Sequence, residues 1–181
     1  MRIKERDFTK LLVRPVVVIT TISKNGVPNA APFSFNSPIS FEPPLYGFAS
    51  SPEHDTWRNV RETEEFVANV VGEDFGELMH ILETDFPYEV SEIEKAGLTA
   101  MPSACVKPPR VGEALAWVEC TLEASYELGD HVWIVGRVVC AEVKDEFWDA
   151  VLNAERAKPL CHISGEFFAC DARRRKFKRA R

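Results

Sequence analysis

A long alternating run in the second half of the chain constrains the fold more than any other feature. Ala116, Val118, Cys120, Leu122, Ala124, Tyr126 and Leu128 alternate with Glu119, Thr121, Glu123, Ser125 and Glu127. That period of two puts successive side chains on opposite faces of a half-buried strand. Gly129-Asp130 turns the chain, and His131–Val143 (HVWIVGRVVCAEV) reads as the return strand of a long hairpin. An isolated hairpin is at best marginally stable in water, so other strands must complete a sheet around it.

The rest of the chain supplies them. Val16–Ser23 (VVVITTIS) is rich in β-branched residues, and Lys24-Asn25-Gly26 is a strong hairpin turn because Asn-Gly accepts positive φ angles. The return from Val27 to about Ser37 carries Pro28 and Pro32, which remove ladder donors and predict an irregular or edge strand. Glu42-Pro43-Pro44 forces a bend into a strand at Leu45–Ser50; Glu65–Val71 reads as another, and Leu160–Ile163 and Phe167–Cys170 as closing strands. Helices are expected over residues 5–12, over Asp74–Glu83 and Val90–Ala96, and from Phe147–Ala150 onward. A further helix is expected to run to about Glu62, with Ser51 as its cap and Pro52 at its first position. Strands in mainly hairpin connection, with helices between them, predict a mainly β protein: an antiparallel barrel with peripheral helices.

The 181 residues suit a single domain, placed at residues 1–171 and followed by a basic tail at 172–181. No apolar run reaches the ~20 residues of a membrane-spanning helix. The start, MRIKERDFTKLL, is charged where a signal peptide is apolar, so a cytoplasmic protein without membrane contact is expected. Cys105, Cys120, Cys140, Cys161 and Cys170 are odd in number and contain no C-x-x-C pair, which predicts reduced thiols. The adjacency of Cys161 and His162 leaves a metal reading open, but core packing is the favoured role and no metal is expected. Seven of the 22 basic residues lie in the tail, which has no acid, leaving residues 1–171 with 15 basic against 28 acidic side chains. Such a tail reads either as a nucleic-acid or membrane arm or as a solvated segment lying on acidic surface; the second is favoured, because the body is so acidic.

Two segments carry the polar chemistry. Ser50-Ser51-Pro52-Glu53-His54-Asp55-Thr56-Trp57-Arg58-Asn59 gathers hydroxyls, an arginine and an amide at a helix start, where free N–H groups and the helix dipole attract anions. A phosphate site and an ordinary capped helix fit it equally. Phe33-Ser34-Phe35-Asn36-Ser37 could present donors to a planar heterocycle, although Ser and Asn near proline are commonly turn formers. No dinucleotide-binding, Walker-type, H-E-x-x-H or G-x-S-x-G motif is present.

The order of the segments is more telling than any one of them. The run RPVVVITTISKNGVPNAAPFSFNSPISFEPPLYGFASSPEHDTWRNVRETEEFVANVV resembles the flavin reductase-like family. That family shares a strand, a D/N-G turn, an N-A-x-P-x-S segment, a P-P-L turn and a D-T-x-x-N helix start, and GDHVWIVGRVVCAEV resembles its G-D-H hairpin. The likeness spans roughly residues 14–170. It implies a Greek-key split β-barrel that binds FMN near a dimer interface. By this resemblance Ser34, Phe35, Asn36 and Ser37 border the isoalloxazine, while Ser50, Ser51, Thr56 and Arg58 hold the phosphate. His131 occupies the G-D-H position near the flavin or nicotinamide, where a purely structural histidine fits equally.

The family includes free-flavin reductases, FMN-bound electron carriers and proteins of unassigned activity. This chain departs from the short reductases by an insertion around Thr84–Lys107 and by its tail, which favours a retained flavin. The expected activity is therefore hydride or electron transfer through bound FMN, with NADH or NADPH as donor. The alternative is a non-enzymatic FMN carrier fed by a redox partner protein. A homodimer is expected too, with Leu115, Trp117, Trp133 and Val135 partly exposed in the monomer.

Overall fold

The computed structural model describes residues 1–179, so the last two residues of the expected tail, Ala180 and Arg181, lie outside the described residues. A 3-10 helix at Glu5–Leu11 leads into β1 (Arg14–Pro15), β2 (Val17–Ile22), β3 (Pro28–Phe33), β4 (Asn36–Phe41) and β5 (Pro44–Ser50). Next come α1 (Asp55–Thr63), β6 (Glu65–Val70), a 3-10 helix at Glu73–Leu78, and the short helices α2 (Met79–Leu82) and α3 (Glu92–Lys95). Two short strands, β7 (Ala100–Met101) and β8 (Arg110–Val111), precede the long hairpin of β9 (Ala116–Leu128) and β10 (His131–Val143). The chain finishes with β11 (Trp148–Asp149), β12 (Val151–Leu152), α4 (Ala154–Ala157), β13 (Cys161–Ser164) and β14 (Phe167–Ala169).

Seven strands pair antiparallel in the order β3-β2-β6-β9-β10-β5-β4. The two edge strands are neighbours in sequence, separated only by Ser34 and Phe35, so the sheet has to curl until its edges meet at that corner. There the Ala49 N–H donates to the Phe35 carbonyl at 2.8 Å, and the Phe33 and Phe48 rings lie 5.0 Å apart, edge to face. Strands β3 and β4 form no ladder with each other, so the barrel stays open along a seam: it is a split barrel. Strand β6, between β2 and β9, joins hairpins out of chain order in the Greek-key manner.

Alternation along β2 divides two apolar cores. Val17 and Ile19 face the barrel interior with Phe33, Phe48, Phe66, Cys120, Val132 and Ile134. Val16 and Val18 face outward, against a layer built from Phe75, Met79, Leu82, Ile93, Val111 and Leu160. The proline-interrupted strand β3 does lie at an edge, with Pro28 opposite Ile22 and Pro32 opposite Val18. Gly136 on β10 admits the interior aromatics: a Cβ there would come within 2.6 Å of Phe66 Cε1 and 2.7 Å of Cys120 Cβ. Among the described residues no helix is long and apolar enough to cross a membrane.

Several local expectations need correction. The return after Asn25-Gly26 is not one strand to Ser37, because the chain turns the barrel corner after Phe33 and starts β4 at Asn36. Helix α1 is capped at His54, not Ser51: the His54 N–H closes a turn onto the Ser51 carbonyl at 3.2 Å, which leaves Ser51 and Pro52 before the helix. No helix starts at Phe147–Ala150; a 3-10 turn at Asp145–Phe147 precedes the small β11–β12 hairpin, and Ala150 has φ +60, which a right-handed helix does not allow. The alternation of residues 116–128 puts Glu119 on the polar face, yet it is fully buried beneath the β7–β8 loop, where Arg110 meets it. Leu115, Trp117 and Val135 are buried within one chain, leaving Trp133 as the half-buried member of the expected dimer patch.

Candidate functional site

Around β3, the start of α1 and the segment after α2 lies a cleft of about 570 Å³, lined by Asn29, Phe33, His54, Thr56, Leu82 and Phe86 among others. Its floor is a chain of neutral hydrogen bonds. Tyr88 Oη donates to Asn59 Oδ1 at 2.6 Å, Asn59 Nδ2 to Thr21 Oγ1 at 3.0 Å, and Thr21 Oγ1 to Asn29 Oδ1 at 3.1 Å. Thr56 Oγ1 donates to the same Asn29 oxygen at 3.0 Å. Asn29 Nδ2 and the Ala30 N–H donate to Glu92 Oε2 at 3.1 and 2.9 Å, which ties α3 to the edge strand. Among the described residues, one Nδ2 hydrogen of Asn29 and the second Glu92 oxygen have no partner from another side chain in this network.

The cleft is acidic: Glu53, Asp55, Glu83, Asp85 and Glu92 line it, and among the described lining residues there is no Lys or Arg. Burial holds the Asp55 carboxyl above its ordinary range, and Asp85 and Glu89 push the same way against Arg58. Burial likewise raises Glu92, opposed by its hydrogen bonds from Ala30 and Asn29. Attraction for an anion here must come from N–H and O–H donors. The first turn of α1 offers the Asp55, Thr56 and Trp57 N–H groups, which have no protein acceptor among the described residues.

The two polar segments read from the sequence meet through Phe33 and His54; of the predicted site residues Thr56 lines the cleft, and Ser34–Ser37, Ser50, Ser51 and His131 are not among its lining residues. Ser50 Oγ lies 3.4 Å from His54 Nδ1, and the His54 and Phe33 rings are 6.4 Å apart. Ser51 Oγ accepts weakly from the Glu53 N–H at 3.4 Å. Phe35 is sandwiched between the Arg14 guanidinium, 5.1 Å from its ring centre, and the His131 ring at 5.7 Å. His131 Nδ1 bonds Asp130 Oδ1 at 2.7 Å, and that bond holds the Asp130 carboxyl below its ordinary range. Asn36 spends both amide hydrogens on the Pro15 and Phe33 carbonyls at 2.9 and 3.0 Å, leaving its oxygen open, whereas Ser37 Oγ donates to the Pro38 carbonyl. Arg58 is turned away as well: its guanidinium stacks 3.8 Å over the Tyr88 ring and points toward Glu62.

Sequence reasoning missed Arg14 and His162. His162 Nε2 faces the Gly165 carbonyl at 3.0 Å, so that nitrogen carries the hydrogen in the neutral ring and Nδ1 is left as an acceptor. Ser34 Oγ and Arg14 Nη2 reach it at 3.2 and 3.3 Å. Nothing in the local sequence links Ser34 to His162 across the chain. Asn29 and Asn59 did carry a signal, since both stand in the N-A-x-P-x-S and D-T-x-x-N motifs.

The fold and this rim define a split-barrel protein with a polar cleft beside its edge strand β3. The model of the flavin reductase like domain matches residues 9–169, and the chain belongs to the flavin reductase-like family. An uncharacterized protein of Aquifex aeolicus is 39% identical over 162 residues, covering 86% of this chain and 83% of that one. Nitrilotriacetate monooxygenase component B from Bacillus cereus superposes with a TM-score of 0.88 at 30% identity, covering 97% of this chain and 95% of that one. An FMN-binding protein from Thermus thermophilus has the same fold, with a TM-score of 0.83 at 21% identity over 98% of this chain and 97% of its own.

Proposed function

We propose that the chain binds FMN at the seam of the barrel and passes hydride or electrons through it, with NADH or NADPH as donor. The observation that carries this reading is the meeting of the Phe33–Ser37 and Ser50–Thr56 segments, through Phe33 and His54, beside one cleft in a member of the flavin reductase-like family. The donor set fits a flavin. Ser34 and Asn36 provide the hydroxyl oxygen and the carbonyl acceptor that a flat heterocycle needs, and Phe35, whose ring Arg14 and His131 flank, borders it by its edge. The Ser51 hydroxyl and the open N–H groups of α1 supply neutral donors to a phosphate, and Ser50 and Thr56 join them by turning their hydroxyls from the Ser51 carbonyl and the Asn29 oxygen. Arg58 joins them only by leaving Tyr88.

Bound flavin would supply the hydride and electron chemistry, while the protein binds, orients and tunes it. In this reading His162 Nδ1 fixes the Ser34 hydroxyl by accepting its hydrogen, a nitrogen it shares with Arg14 Nη2, while Nε2 is anchored on the Gly165 carbonyl. Phe35 and His131 close the edge toward solvent. We infer a homodimer as well, now on different residues: Phe41 is 98% exposed, and Ile39 and Val139 are exposed near it in the β4–β5–β10 part of the sheet. Light scattering at micromolar concentration should give twice the chain mass.

The decisive experiment is titration of the purified chain with FMN and riboflavin, followed by addition of NADH or NADPH under anaerobic conditions. Saturable FMN binding with bleaching of the oxidised-flavin bands is expected. Binding without bleaching by either nicotinamide would make the protein a carrier reduced by a partner, and no binding would overturn the reading.

A further inference from the structure

Away from the cleft, the β7–β8 loop presents Cys105 to Cys140 on β10. The two sulfurs and a Glu119 carboxylate oxygen all lie within 4.8 Å of one another. The placement is held by the backbone: Ala104 and Cys105 N–H groups donate to the two Glu119 oxygens at 2.8 and 2.6 Å, and Lys107 N–H donates to Glu65 at 2.9 Å. Thr20 Oγ1 fastens the end of the loop through the Pro109 carbonyl at 2.5 Å. Cys140 is held from its own side, donating to Glu142 Oε1 at 3.5 Å and accepting from Arg110 Nη2 at 3.6 Å.

A metal ion suits this group poorly. The Arg110 guanidinium already supplies the cation, with Nε 2.6 Å from Glu119 Oε1 and Nη1 2.6 Å from Glu142 Oε2. Both Glu119 oxygens are engaged by N–H donors. Two thiols remain, one exposed and one half-buried.

We propose that Cys105 and Cys140 are a dithiol site that forms a reversible disulfide by exchange with small disulfides such as oxidised glutathione. Cys105, the exposed thiol, reacts first as its thiolate: it attacks one sulfur of the small disulfide, and one small thiolate leaves. Cys140 then loses its proton and attacks Cys105 Sγ, and the second small thiolate leaves. The protein gives up two electrons and two protons, and the small disulfide becomes two thiols. Closing to the ~2.05 Å of an S–S bond requires rotation of the solvent-facing Cys105 side chain over a loop that Glu119 keeps in place. Burial and the Glu142 carboxylate raise the Cys140 thiol, which suits it to the second step rather than the first. The bridge would lock the β7–β8 loop onto the long hairpin, and it needs no flavin.

The test is equilibration of the full-length chain in glutathione buffers of rising oxidised fraction, with alkylation of the remaining thiols and peptide mapping. Two of the five thiols should disappear together, a Cys105–Cys140 linked peptide should appear, and dithiothreitol should restore both. Cys140→Ser should stop at a glutathione adduct on Cys105, whereas Cys105→Ser should leave Cys140 alkylatable throughout. If either variant fails to fold, the wild-type map still decides. A wild-type adduct that persists on Cys105 beside free Cys140, or a bridge to Cys161 or Cys170 instead, would overturn the proposal, as would stoichiometric zinc that blocks both thiols.

Discussion

Two buried polar assemblies meet at consecutive residues of β2 and meet the same physical demand in different ways. Thr21 belongs to the neutral network of Asn29, Thr56, Asn59 and Tyr88 beneath the cleft. Thr20 faces the other way and binds Pro109 beside the ionic cluster of Arg110, Glu119 and Glu142. In the ionic cluster every strong group is spent: Arg110 spans both carboxylates, and Glu119 also takes two loop N–H groups. The network under the cleft keeps an Asn29 hydrogen and a Glu92 oxygen in reserve. Spare hydrogen-bonding capacity facing a cavity marks a site, whereas a saturated buried cluster marks a fastening.

Removal of a fastening should produce the largest effect. Arg110→Ala leaves the buried Glu119 charge uncompensated and is expected to cost ~3–5 kcal/mol of stability. Urea unfolding measures this, and flavin affinity per folded molecule should stay the same. A loss of less than ~1 kcal/mol would place the cluster with ordinary surface pairs. Thr56→Ala should act the opposite way, with a modest stability change but a reduction of the FMN-over-riboflavin preference by about tenfold, or 1.4 kcal/mol. Equal losses for both ligands in calorimetric titrations would turn Thr56 into a network residue with no part in phosphate binding.

The two regions should also differ in the sign of their response to pH. Glu92 is raised in the folded state, chiefly by burial, so the folded chain binds this proton more tightly than the unfolded chain. Its contribution is favourable below the ordinary carboxylate value of 4.5 and is lost as the pH rises through the raised value. Glu92→Gln should therefore gain stability relative to wild type between acidic and neutral pH. Glu142 is lowered, first by its hydrogen bond from Arg110, so its contribution is present above 4.5 and is lost on acidification through the lowered value. Glu142→Gln should lose stability relative to wild type over the same rise in pH, and parallel curves for the two variants would erase the contrast.

The smallest effect concerns a group in neither assembly. Tyr46 Oη is buried in the barrel without a hydrogen-bond partner among the described residues, and burial raises its pKa far above the ordinary phenol value. Tyr46→Phe should be neutral or stabilising by up to ~1 kcal/mol, because no hydrogen bond is lost. Thermal unfolding reads it, and a clear loss would reveal a bound water or a ligand contact at that hydroxyl.

The barrel was legible in the sequence because its strands are built from local signals. The alternation of residues 116–128, the Asn25-Gly26 turn, and Pro28 and Pro32 on an edge strand each act within a few residues. The ordered motifs pointed to the Phe33–Ser37 and Ser50–Asn59 segments, which the fold brings together through Phe33 and His54, while stacking on Tyr88 draws Arg58 aside. The tertiary structure alone decided that His162 meets Ser34 over 128 residues of chain, that Glu92 anchors Asn29 over 63, and that Glu119 is buried instead of solvated. A local pattern reports which face a side chain takes on its own element. What packs over that face is set by segments distant in the chain, and for Glu119 a loop carrying Arg110 made burial of a charge tolerable.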